Sequence, residues 1–314
     1  MALRTIARLA LAGALLVAAA GPASATFPGE NGKILYFRYR ADFSDQSWRT
    51  ILPDGTGGAE AGLPASAQEP VWSPDGTSLA YSTGSRDSVK VFVFDPVTLD
   101  KSLVVSAADL RDGLEYINGI AFGPSGDRLA LCGIFRPGFE PRLFTVGTDG
   151  SDLSMISGDR PLCFPDWSST DRIVAATDDE RARVFTMDPD GTDVDLLVRL
   201  PRPKTDRIFL SVTPSWAPDG GSITLRAQAG ARRSDIWLID ADGSNLRRVT
   251  DTRKRWEWDV AFAPDGDSLA VAVGGRDVFD FSDLWIVNLG GGRTRLTDTP
   301  RFDEFFGLSW QAIE

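Results

Sequence analysis

The sequence predicts an all-β fold: a six-bladed β-propeller with four antiparallel strands per blade, closed by N- and C-terminal strands that share one blade. Three observations lead there. A motif recurs at intervals of 45 to 50 residues, no long 3.6-periodic apolar pattern is present, and the two ends of the repeat array are each incomplete. The motif is clearest in VWSPDGTSLAYST, residues 71–83, where an aromatic precedes a Pro-Asp-Gly turn and a short apolar strand. It returns as IAFGPSGDRLALCG, PSWAPDGGSITLRA and VAFAPDGDSLAVAV. Aligned on the aromatic, the units fall at Trp72, Phe122, Trp167, Trp216, Phe262 and Trp310, spaced by 50, 45, 49, 46 and 48 residues. That period is right for a four-stranded blade. The short runs rich in Val, Ile, Phe and Trp, punctuated by Gly, Asp and Pro, read as strands and turns.

The elements follow in chain order. Residues 1–25 carry Arg4 and Arg8, an apolar run from Leu9 to Ala20, and the small-residue pattern Ala23-Ser24-Ala25. These are the parts of a secretory signal peptide, and the run is too short to span a bilayer. Residues 26–314 are expected to form one domain. Its first strands, GKILYFRYR and SWRTIL, lack an inner partner, and the final unit, FFGLSWQAIE, supplies one inner strand and stops. Joining them completes a blade and removes an exposed edge. One internal unit parses fully: an inner strand ending at Trp216, a turn at Pro218-Asp219-Gly220, a return strand to Ala227, then DIWLID, the turn ADG and SNLRRVT. Proline presets φ in such turns and glycine accepts positive φ, so Asp75, Asp219 and Asp265 are turn formers. The third unit, DWSSTDRIVAA, lacks both Pro and Gly in its first turn, so that hairpin is expected to differ in shape.

Strand direction sorts the connections onto two faces. The turns after the first and third strands of each unit are short and uniform. The other connections, such as GIFRPGFEPR, TDDERAR and GGRDVFDFSD, are long and irregular. Binding groups favour loops held on a rigid scaffold, so the loop-rich face is the expected recognition surface. Tyr116, Asn118, Phe209, Trp256, Trp258, Phe279, Phe281, Asp303 and Glu304 lie near its funnel mouth as candidate ligand-binding residues. Two readings stand for Trp256 and Trp258, packing between blades or anchoring a partner. The same two stand for Phe279 and Phe281.

Composition narrows the chemistry. The chain has 314 residues, a net charge of −11 and no histidine. The acidic balance disfavours nucleic-acid binding. Without an imidazole there is no Ser-His-Asp or Cys-His arrangement and no histidine-ligated metal site. GTGGAEAG lacks the lysine of a phosphate-binding loop. No catalytic residue and no cofactor are assigned. The acidic loops TDDER (177–181) and FDEF (302–305) read as solvated, with calcium the one ion their chemistry admits. Cys132 ends the second strand of one unit and Cys163 opens the first strand of the next, so they are either disulfide-bonded or two buried thiols.

The units WSPDGTSLAYS, DIWLIDADGSNLRRVT and DLWIVN, with the opening FPGENGKILYF, resemble the TolB-type, WD40-like propeller repeats of exported bacterial proteins. The resemblance covers essentially the whole chain after the leader and is specific for the repeat. The expected protein is a secreted or periplasmic, monomeric, non-enzymatic scaffold that binds an envelope or extracellular protein, peptide or glycan at its funnel face, and the resemblance implies an envelope partner docking at the funnel mouth. A carbohydrate-active lyase or hydrolase using carboxylate, Tyr or Arg groups in the axial funnel is the alternative. A pair of inward acids at matching depth would favour it.

Overall fold

The computed structural model describes residues 27–40, 45–177, 182–200, 212–228, 234–251, 255–274, 282–298 and 303–314. The expected leader, residues 1–25, lies outside them. Strands β1 (Glu30–Arg40), β2 (Gln46–Ile51) and β3 (Ala59–Glu60) form a sheet with the last strand, β24 (Asp303–Ile313). Next come β4 (Gln68–Trp72), β5 (Leu79–Thr83), β6 (Lys90–Phe94) and β7 (Lys101–Ser106). A third sheet holds β8 (Leu114–Phe122), β9 (Arg128–Phe135), β10 (Glu140–Gly147) and β11 (Ser154–Met155). A fourth holds β12 (Leu162–Trp167), β13 (Ile173–Thr177), β14 (Arg183–Met187) and β15 (Asp195–Arg199). The remaining strands share one sheet. They are β16 (Val212–Trp216), β17 (Ser222–Gln228), β18 (Ser234–Asp240), β19 (Arg247–Arg248), β20 (Trp256–Phe262), β21 (Ser268–Gly274), β22 (Ser282–Asn288) and β23 (Arg293–Arg295).

The propeller is all-β, but the expectation of six separate four-stranded blades is corrected. Four sheets are four-stranded blades, and the other eight strands form a single hydrogen-bonded sheet. One bridge produces the merger, a parallel pairing of β18 with β20 at Ser234 and Trp256. β19 pairs with β18 opposite Trp237 and Leu238. Thr250 continues along that edge, its Oγ1 accepting Ile236 N and its N–H donating to Ile236 O, and the chain then returns as β20 beside Ser234.

Closure runs through both ends of the chain. β1 pairs antiparallel with β24, placing Ile34 opposite Trp310 and Leu35 opposite Ser309. Trp310 Nε1 donates to Gly32 O at 3.2 Å. The six repeated aromatics are all 5% exposed or less and sit in the apolar layers between sheets. Gly123 shows how tight those layers are, since a Cβ there would lie 3.3 Å from the Trp167 ring. Across the third and fourth sheets Cys132 and Cys163 are disulfide-bonded, and both are fully buried.

The hairpin turns share one hydrogen-bond scheme. Asp75, Asp219 and Asp265 each accept the backbone N–H two residues ahead, at 3.0, 2.8 and 2.9 Å. Gly76, Gly220 and Gly266 follow at φ of +66°, +70° and +76°, where a Cβ is disfavoured. The third unit departs from this. Asp171 takes the left-handed position at φ +63°, and its carboxylate accepts Trp167 Nε1 at 2.9 Å. Aspartate tolerates that region because its short side chain bonds locally.

Candidate functional site

The third residue before each repeated aromatic is Glu69, Gly119, Phe164, Thr213, Asp259 or Gly307. Register shifts interrupt the inner-strand pairing around Glu69, Gly119, Phe164 and Asp259. Glu69, Phe164 and Gly307 adopt φ of +53°, +55° and +70°. Bulges of this kind re-aim a side chain. Positive φ in a glutamate costs on the order of 1 kcal/mol and is held only by its surroundings.

Two carboxyls at this level interact. Burial pushes Glu69 up to about 8, and the neighbouring Asp259 charge pushes the same way. Asp259 is 1% exposed and raised to about 7. Burial dominates there, opposed by the Leu308 N–H, the Arg226 charge and the Val260 N–H. Its Oδ2 accepts Leu308 N at 2.7 Å and its Oδ1 accepts Val260 N at 2.8 Å. Arg226 is 2% exposed and donates from Nε to Thr213 Oγ1 at 2.9 Å. The cluster therefore joins two carboxyls whose surroundings favour the protonated form and a buried guanidinium. Acid–base chemistry needs groups of that kind.

Side chains from one sheet also satisfy the inner edge of the next. Asp166 Oδ2 accepts Trp216 N at 2.6 Å, and Ser309 Oγ accepts Trp72 N at 3.1 Å. Asp259 does the same for Leu308. Leaving such a buried N–H unmade costs about 1–3 kcal/mol, which explains polar residues in otherwise apolar strands. The edge position also explains why Pro70, Pro165 and Pro214 are tolerated two residues before the aromatic.

At the loop-rich face the expected residues are partly brought together. Trp256 is buried and Trp258 half-buried, their rings stacked with centroids 5.0 Å apart. Trp258 also lies against Gly274, where a Cβ would come within 2.6 Å of its Nε1. Much of the pair is thus committed to packing. Tyr116 and Asn118 are half-buried on β8, and Asn118 Nδ2 donates to Cys163 Sγ at 3.6 Å. Asp303 and Glu304 lie on β24 opposite Arg40 and Tyr39 in the backbone register. Phe209, Phe279 and Phe281 lie outside the described residues, as does most of TDDER.

Sequence reasoning missed a group on the same face. Glu115 holds Arg136 at 2.6 Å and Arg86 at 3.3 Å. The Arg136 guanidinium lies 5.6 Å from the centroid of Phe139, a side chain 53% exposed at φ +54°. The available signal was the aromatic set among arginines in GIFRPGFEPR. The axial acids were detectable only as charges interrupting QEPVW and EWDVAF.

The fold and these sites define a β-propeller with a polar axis, and comparison with known proteins narrows the class. No protein-family model matches the chain. It is 27% identical over 121 residues to the Tol-Pal system protein TolB of Anaeromyxobacter dehalogenans, covering 38% of this chain and 25% of that protein. It is 27% identical over 160 residues to the protein TolB homolog of Chlorobium luteolum, covering 51% and 34%. The chain thus matches about a quarter of the one relative's length and about a third of the other's. Among solved structures, TolB from Acinetobacter baumannii superimposes with a TM-score of 0.70 at 16% identity, covering 91% of this chain and 68% of that one. An oligogalacturonate lyase in complex with manganese superimposes at 0.59 with 17% identity, covering 87% and 77%. The chain is a β-propeller similar in fold, and over part of its sequence, to TolB proteins.

Proposed function

We propose that the protein is an exported, non-enzymatic propeller scaffold that works in the cell envelope and binds a protein or peptide through its loop-rich face. The observation that carries this reading is the Arg136–Phe139 pair, an exposed aromatic under a guanidinium that Glu115 already holds in place. Arginine and aromatic side chains dominate interface hot spots, and preorganisation lowers the entropy lost on binding. Sequence likeness to Tol-Pal system proteins supports the envelope setting, and the buried disulfide suits an oxidising compartment. The protein acts as a monomer in this reading, and an envelope glycan is the other ligand the face admits. The test is a quantitative pull-down from an envelope fraction with wild type, Phe139→Ala and Trp258→Ala. Partners enriched by wild type and lost with Phe139→Ala support the reading, while equal recovery by all three retires this face.

A carbohydrate-active lyase or hydrolase is the second reading, favoured by Glu69 and Asp259 standing at the same distance before their aromatics. The fold likeness to an oligogalacturonate lyase is compatible with it and carries no chemistry by itself. Turnover on a panel of uronate and neutral oligosaccharides, abolished by Glu69→Gln, would replace the scaffold reading. No turnover on the whole panel removes this one.

A further inference from the structure

A cleft of about 660 Å³ opens on the opposite, turn-bearing face, where the closing sheet meets the sheet of β4 to β7. That is well within the range of ligand-binding cavities. Its floor is set by close backbone contact. Gln311 accepts Lys33 N at 3.1 Å and donates to Gly76 O at 2.6 Å, bridging the two sheets. A Cβ on Gly76 would fall 2.0 Å from Ala312 O, so the β4–β5 turn rests directly on β24. The cleft is therefore built into the closure of the propeller.

Charge and apolar surface meet there. The lining contains four acids, Glu60, Asp75, Asp95 and Glu314, and a single cation, Lys33. Two of the acids are fixed in the ionised form. Backbone N–H groups of Thr98 and Val97 hold Asp95 below the usual carboxylate range. For Asp75, burial works against ionisation, but hydrogen bonds from Ser73 and Thr77 outweigh it. Between these charges Val97 is 88% exposed and Ile313 is 39% exposed, with Leu99 at 61% two residues along the same turn. An isolated exposed aliphatic needs no explanation, but several beside an acid-lined cleft mark a contact surface.

We propose that this cleft docks a positively charged, extended segment of a partner protein, with lysine or arginine side chains flanking an aliphatic one. The four acids take the cations, and Val97 with Ile313 takes the aliphatic group. An anionic ligand finds no complement here, because the one lysine is outnumbered. The site is separate from the loop-rich face and does not depend on the reading given to that face.

Fluorescence anisotropy with three labelled hexapeptides tests it: alternating Lys-Leu, Glu-Leu and Ser-Leu. The Lys-Leu peptide is expected to bind best, and raising salt from 50 to 500 mM to weaken it by roughly tenfold, as for a charge-guided contact. Glu60→Lys is expected to cost at least about tenfold and Val97→Ser about threefold, with Leu196→Ser, an exposed residue of β15 outside the cleft, unchanged. Both cleft residues are exposed, and unchanged thermal melting confirms that the variants fold. Hydrogen exchange should slow at residues 95–99 and 311–314 on binding. Preference for another peptide, absence of binding, or wild-type affinity in both cleft variants overturns the proposal.

Discussion

On the turn side of Trp72, Trp216 and Phe262, the chain uses nearly the same residues and the same bond. An aspartate accepts a backbone N–H at 2.8 to 3.0 Å and a glycine follows with positive φ. On the other side, three residues back, the occupants share no chemistry: two acids, two glycines, a threonine and a phenylalanine. The difference separates two kinds of constraint. A turn is solved locally, so one answer can serve several units. An inner strand faces the axis and a different neighbour in each unit, so each position is solved by what lies across from it.

Removing the acid that spans two strands should break the comparison hardest. Asp259→Ala strips the acceptor from Leu308 N and leaves Arg226 buried without its opposing charge. The expected loss is about 2–6 kcal/mol by urea denaturation, the cost of leaving two buried N–H groups unmade. Mutating glycines tests the uniformity of the turns. Gly76→Ala should cost on the order of 3 kcal/mol, because left-handed strain adds to a clash with backbone. Gly266→Ala, with φ +76° and nothing within 4 Å, should cost only about 1 kcal/mol from the strain alone. Equal costs would show that the turns do not differ in their surroundings.

Acidity sharpens the inner side of the comparison. The folded state holds the Glu69 proton more tightly than the unfolded chain, with its pKa raised from 4.5 to about 8. Folding therefore takes up a proton in this window, and stability falls as pH rises through it. Glu69→Gln should reduce that slope to the share Asp259, raised to about 7, contributes, and stabilise the protein at pH 8 by on the order of 1–2 kcal/mol. Thermal melts of both proteins between pH 5 and pH 8 measure it, and parallel curves would remove Glu69 from the cluster. The smallest effect belongs to the exposed Phe139, where alanine should move stability by no more than about 0.5 kcal/mol while reducing partner capture.

Much of the scaffold was legible before any coordinates. Trp72 to Trp310 mark the inner strands because a large aromatic at a fixed offset from a turn reports one repeated packing environment. The unmatched ends, ILYF and LSWQ, were legible as partners because each lacked what the other had. The merger of β18 with β20 was not, since it hangs on a single bridge between Ser234 and Trp256. Nor was the joining of Glu69, Asp259 and Arg226. Bulges shift the register by one residue, and a one-residue shift decides which way a side chain points.

By itself the sequence determined an all-β propeller of repeated hairpins, its closure by both termini, and an acidic chain without imidazole chemistry. These follow from local turn geometry, period and residue type, none of which needs a distant partner. The tertiary structure decided the sheet count, the axial acid pair, the Arg136–Phe139 pair and the acid-lined cleft. Each of these is an encounter between residues remote in sequence or across a bulge, and its geometry exists only once the sheets are packed.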